Sequence, residues 1–151
     1  MRVSARVDYA VRAMLEIAAA QPERLSRDEV ASRQDLPTRY LEQILRDLSR
    51  GRLLEGQRGV SGGYVLARES REITVADIAR AVDGPLALVG QQRPEDVVHA
   101  GPSQHLGELW VGLRAAIRSV MDHVTLDDLL QGHLPDDLQR MIDEPGAWLP
   151  R

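Results

Sequence analysis

The chain has 151 residues, of which 43% are hydrophobic and only 3% aromatic; that suits one compact domain, or a small domain with a dimerisation arm, filled by aliphatic side chains and alanine. Cysteine is absent, which excludes disulfides and thiolate metal ligation, and no apolar run approaches the ~18 residues of a membrane span. The formal net charge of −4 is unevenly shared: residues 1–70 hold 12 Arg against 10 acids, residues 71–151 only 7 Arg against 13.

The opening Met1-Arg2-Val3-Ser4-Ala5-Arg6 has neither the apolar stretch nor the cleavage site of a signal peptide, so a cytoplasmic location is expected. Val7, Val11, Met14, Leu15 and Ala18 form the stripe of a first helix over about residues 7–20. Ser26-Arg27-Asp28-Glu29 is a capping box that starts a second helix, running to about Gln34. A short turn reaches Pro37, which suits the start of a third helix. There Leu41, Ile44, Leu45 and Leu48 make a buried stripe, Arg39, Glu42, Gln43, Arg46 and Arg50 lie away from it, and Gly51 caps the end. Leu53-Leu54 and Tyr64-Val65-Leu66 read as strands joined by the glycine-rich turn Arg58 to Gly63. Thr74-Val75-Ala76-Asp77 opens a helix that stops at Gly84-Pro85, and residues 86–103 are irregular. A longer helix follows from about Gln104 to His123, then a short one from Thr125 to near Gly132, with a further turn or two around Leu138, Met141 and Ile142.

The expected fold class is mainly α with a small β-hairpin wing: a winged helix-turn-helix plus a long dimerisation helix. The divisions are residues 1–83 for the winged helix-turn-helix DNA-binding domain, 84–103 for an irregular loop, 104–131 for the long helix and short helix, and 132–151 for a tail; the sensing type of the loop and the dimerisation role of the long helix are what a family resemblance implies. All 19 basic residues are Arg, and Lys, Asn and Phe are absent; a GC-rich genome accounts for that bias, so placement rather than number carries the nucleic-acid signal. On the third helix Arg suits guanine, Gln suits adenine and Glu suits a cytosine amino group. Arg58 at a hairpin tip suits the minor groove, and Arg2, Arg6 and Arg12 suit phosphates.

Three segments together closely resemble the Rrf-type regulators, the winged-helix proteins that include the IscR, NsrR and CymR groups. They are Tyr40 to Leu45, Arg58-Gly59-Val60-Ser61-Gly62-Gly63 through Arg68, and Ile73 to Ile78. The Met1-to-Met14 segment, Leu109-Trp110 and Val124 to Leu130 resemble other parts of that family, so the likeness spans residues 1–131. It implies a homodimer joined through the long helix, with two winged heads on a partly palindromic operator in double-stranded DNA. The implied DNA-binding set is Arg39, Tyr40, Glu42, Gln43, Arg46 and Arg50 with Arg58, Gly59, Ser61 and Gly62 of the wing, and Arg2 and Arg6 before it. The dimer interface would use Leu106, Leu109, Trp110, Leu113, Ile117, Val120 and Met121.

Many members hold an iron–sulfur cluster on three cysteines, and the matching stretch, Leu88 to Leu109, has none. No cofactor or metal is therefore expected, and Asp8, where some members place an extra ligand, reads as a negative charge near a helix N-terminus. Control by a small molecule, by a partner protein or indirectly by redox state stays open, as does repression against activation. One rival reading puts a metal or cofactor at the His99–His105 loop with Glu95, Asp96 or Glu108; another is a protein-interaction module that no longer binds DNA. Trp110 is expected in an interface, His123 and His133 at the surface, and Trp148 in a tail that folds back onto a partner or moves freely. Without a cysteine nucleophile, a phosphate-binding glycine loop entering a helix or a paired-His motif, enzymatic activity is not expected.

Overall fold

The computed structural model describes residues 2–59 and 61–150, so Val60 of the wing turn and Met1 fall outside the described residues. Its helices are α1 (Ala5–Ala20), α2 (Arg27–Gln34), α3 (Thr38–Arg50), α4 (Val75–Asp83), α5 (Leu106–Met121), α6 (Leu126–Gln131) and α7 (Asp136–Asp143), and its strands are β1 (Leu54–Gln57) and β2 (Gly63–Leu66). Hydroxyl side chains set where four of these helices begin. Ser4 accepts the Val7 N–H at the head of α1, and Ser26, Thr74 and Thr125 each close a capping box with the acid three residues on. The Ser26 hydroxyl and backbone N–H hold the Glu29 carboxyl below the usual glutamate range.

The long fifth helix is two residues shorter at each end than its apolar pattern suggests, because Gln104 and His105 form the turn that enters it and Asp122 and His123 the turn that leaves it. The segment before it contains two such turns, Pro94–Asp96 and Gly101–Ser103, and is otherwise irregular as expected.

The core lies where α1, α3 and α4 meet. Ala10, Ala13, Met14 and Ile17 of α1 face Leu41, Ile44, Leu45 and Leu48 of α3, and Ile78 closes the layer from α4. Leu126 is fully buried in the same cluster, and the Val75 and Leu126 N–H groups bond the Val124 and Ile73 carbonyls at 2.8 and 3.0 Å. The chain therefore returns from α5 to the head, and α6 packs with α1 rather than with α5.

The wing pairs β1 with β2 antiparallel, Leu54 opposite Leu66 and Gln57 opposite Gly63. Leu25 adds a bridge to the other edge of β2 that the sequence did not announce, exchanging backbone hydrogen bonds with Tyr64 at 2.8 and 3.2 Å. That approach explains Gly63: its φ is 144°, and a Cβ there would lie 2.7 Å from the Leu25 carbonyl oxygen. Gly51 is also required, but not for a left-handed cap. Its φ is −73°, the left-handed position falls to Arg52 at 59°, and a Cβ on residue 51 would meet the Ala81 Cβ at 3.0 Å. Gly63→Ala should therefore cost about 2 kcal/mol, read as a lowered thermal midpoint.

Candidate nucleic-acid interface

Helix α3 is divided along its length. Its apolar side is sunk in the head, and Arg39, Tyr40, Glu42, Gln43, Arg46 and Arg50 are all exposed on the other. Glu42 sits between two guanidiniums, Arg27 of α2 at 3.2 Å and Arg46 at 3.1 Å, so its charge is answered on the surface. Tyr40 meets the Tyr9 ring edge-on, with centroids 5.8 Å apart. Arg39 has no hydrogen-bonding or ion-pairing partner among the described residues, nor has Arg58 at the wing tip. Gly59 and Ser61 are exposed beside Arg58, while Gly62 is half-buried, and a Cβ on it would overlap the Gln57 carbonyl.

One residue that sequence reasoning missed organises this surface. Asp47 is buried, at 9% exposure, and its carboxylate accepts from Arg6 of α1, from Gln43 Nε2 at 3.1 Å and from Arg50 at 3.0 Å. A carboxylate only accepts, so the Gln43 amide turns its nitrogen inward and leaves Oε1 as an acceptor on the outer face. The available signal was an acid interrupting the stripe between Ile44 and Leu48, a place that demands a cation. Arg6 also lies 4.0 Å from Asp83 at the end of α4, and the Ser4 hydroxyl donates to Asp83 at 2.5 Å. Arg12 is likewise engaged, donating to Gln34 of α2 and to Asp8. Of the three arginines expected near phosphates, only Arg2 is exposed and without a partner among the described residues.

The expected interface side chains of α5 separate in the structure. Met121 packs on the head core, Trp110 and Leu113 lie against Ala87–Val89, and Ile117 and Val120 line a groove with Val3 and Val7. Leu106 is half-buried and Leu109 is 58% exposed. No residue of α5 is buried. The loop histidines do not converge. His105 is exposed and pairs with Glu108 at 3.3 Å, and His99 lies beside Gly107 with Nε2 shut away from any partner. His123 is exposed, and Trp148 folds onto its own α7, donating to the Ile142 carbonyl at 2.9 Å.

Residues 3–132 match the family described as Rrf2, iron-dependent transcriptional regulator. The chain belongs to the Rrf2 family. A Mycobacterium tuberculosis H37Rv relative designated an HTH-type transcriptional regulator is 41% identical over 145 residues, 95% of this chain and 90% of its own. The HTH-type regulator CymR of Bacillus subtilis is 35% identical over 130 residues, 85% of this chain and 89% of its own. The solved B. subtilis CymR, described as the global cysteine regulator, superposes with a TM-score of 0.73 at 32% identity, over 87% of this chain and 98% of that one. IscR of T. potens gives 0.71 at 32% identity over 87% and 88%. The chain is thus a DNA-binding transcriptional regulator of Rrf2 type with a winged-helix fold, not an enzyme.

Asp47→Ala removes the carboxylate that Arg6, Gln43 and Arg50 share. Allowing for the partial exposure of Arg6, it should cost about 2 kcal/mol in urea unfolding.

Proposed function

We propose that this Rrf2 regulator reads DNA sequence as a homodimer on a partly palindromic operator, and that it works without an iron–sulfur cluster. The division of α3 carries the reading: a helix anchored on one side by the core and by Asp47 presents Arg39, Glu42, Gln43 and Arg46 on the other. With its nitrogen held by Asp47, Gln43 offers Oε1 to a base donor, the amino group of adenine or cytosine. Arg39 and Arg58, both without internal partners among the described residues, are the groups best able to pay out full charge to DNA, one toward base edges and one toward the minor groove. Tyr40, Arg46, Arg50, Gly59, Ser61 and Gly62 complete the contact surface, with Arg2 toward a phosphate. Arg6 serves it indirectly, by holding Asp47.

Iron is the metal that the family description implies, and the residues here do not fit it. The chain has no cysteine, and among the described residues no three His, Asp or Glu side chains gather to hold a metal.

Dimerisation is supported by α5, an apolar helix of 16 residues that its own chain leaves without a single buried side chain. Leu109 is its most open large apolar residue, and Gly112, Ala116 and Ser119 beside it let a second helix come close. In this arrangement Leu106, Trp110, Leu113, Ile117, Val120 and Met121 shape the flank against the head and complete the joint.

Genome-wide recovery of bound DNA supplies the operator for the decisive measurements. Arg39→Ala and Arg58→Ala should each weaken operator binding about tenfold and flatten its salt dependence, and Gln43→Ala should relax preference at one base pair by about 1–3 kcal/mol. If all three bind like the parent, the assigned face is wrong. Leu109→Glu should convert the dimer to a monomer in light scattering; an unchanged mass would remove α5 from the interface.

A further inference from the structure

The acidic half of the chain contains one cleft that is basic. Residues 71–151 hold only seven arginines, and four of them, Arg80, Arg93, Arg114 and Arg118, line a single opening of about 760 Å³. Two carboxylates line it as well, Glu95 and Asp122, which leaves the lining a formal charge of +2. Asp122 is shared, taking Arg80 at 2.5 Å and Arg118 at 2.9 Å, while Glu95 takes Arg114 at 2.5 Å; Asp77, outside the lining, lies 3.9 Å from Arg80. Arg93 forms no ion pair among the described residues. Each guanidinium carries several N–H donors in a planar fork, more than two carboxylates can fill.

Both acids are committed to this role. Burial alone would raise the Asp122 carboxyl, but hydrogen bonds from Arg118 and Arg80 outweigh it and hold it below the usual aspartate range. Glu95 is held low by its own backbone N–H and by Arg114. Neither therefore takes up a proton near neutral pH to add to the positive charge. The excess belongs to the arginines and is open to an incoming anion. Pro85, Leu86 and Leu88 supply an apolar wall, and the volume suits a small metabolite rather than a chain of DNA. Arg114 and Arg118 lie on the side of α5 away from Leu109, Gly112 and Ser119, so pairing of two α5 helices leaves the cleft open.

We infer that this cleft binds a small organic dianion, a dicarboxylate or a phosphate monoester, and that the bound ligand sets the angle between the head and α5. The second part rests on the DNA-binding dimer proposed above. The ligand would clamp three elements at once: α4 through Arg80, the irregular segment through Arg93, and α5 through Arg114 and Arg118. Because α4 touches α3 at the Gly51–Ala81 contact, a change at this joint moves the recognition helix relative to its counterpart in the dimer.

Isothermal titration of the full chain without DNA tests the site, using succinate, glycerol 3-phosphate and inorganic phosphate in turn at constant ionic strength. Saturable binding of succinate or glycerol 3-phosphate is expected, and the one that binds identifies the kind of anion. Arg93→Ala leaves the ion pairs above intact; it should keep the parent's circular dichroism and thermal midpoint while weakening that binding about tenfold. No saturable binding of any probe, or an Arg93→Ala chain that binds like the parent, overturns the site. Inorganic phosphate binding as tightly as both organic anions overturns the part given to the apolar wall. Operator affinity is then measured with and without the ligand. A several-fold change in the parent, absent in Arg93→Ala, is expected; an unchanged affinity overturns the control of the head while the titrated site stands. A parent that binds no DNA removes the DNA reading alone, since the titration is made without it.

Discussion

Asp47 lies on the buried side of α3, with its carboxylate almost closed off from water, where a charge is costly unless cations answer it. Arg6 answers from the first helix, Arg50 from one turn further along α3, and Gln43 adds a neutral donor. The same arginine leans toward Asp83, which also takes the Ser4 hydroxyl that caps α1. One short cluster therefore joins the start of α1, the middle of α3 and the end of α4. Hydrophobic contact alone would hold these helices together but would allow α3 to roll or slide by small amounts, since apolar packing is tolerant of direction. The directed bonds to Asp47 remove that freedom and fix which side of α3 faces outward.

The head and α5 are built on opposite principles. In the head, each amphipathic helix finds its complement within the chain, down to the fully buried Leu126 that arrives after α5. In α5, apolar residues occupy much of the circumference, and the chain covers them only in part, leaving none fully buried. Such a helix is tethered at both ends, by the irregular segment before it and by Val124 and Leu126 after it, while its middle stays available. The tethers keep it near the head without fixing it as firmly as the core fixes α3. The four arginines are found at this junction of head and arm.

What could be read from the sequence was local. Ser26-x-x-Glu29 and Thr74-x-x-Asp77 announce helix starts because the chemistry of a cap is complete within four residues. The stripe of α3 announces its buried face because helical periodicity is a property of the helix alone. The exposed positions of Arg39, Glu42, Gln43, Arg46 and Arg58 follow from the same periodicity and from the wing turn. What could not be read depends on partners far along the chain. Nothing near Asp47 indicates Arg6, which is 41 residues away, and nothing near Tyr64 indicates a bridge from Leu25. Gly51 was legible as a glycine at a helix end, but its cause, the approach of Ala81, belongs to packing. The split of the α5 side chains was hidden for the same reason: periodicity gives one apolar face, and only the fold decides which part of it meets the head.

The arginine cleft shows how far charge counting along a sequence can mislead. By number, residues 71–151 are acidic and would be expected to repel anions. Anion binding, however, depends on the potential in one cavity, and residues 80, 93, 114 and 118 are far enough apart in sequence that no window shows them as a cluster. Folding back of the irregular segment against α5 collects them, through the Arg114–Glu95 pair, beside Arg80 on α4. The acids that balance the half-chain mostly do not line the cleft and lie at exposed positions, such as Asp136, Asp137 and Glu144 of α7 and the turn after it. A surface that is negative on average can thus carry a positive site, much as the head of an overall acidic chain can carry a DNA-reading face. In both places a structural carboxylate, Asp47 or Asp122, is shared by two arginines. It fixes their position without consuming all of their charge, which leaves positive charge held in place for an anion to meet.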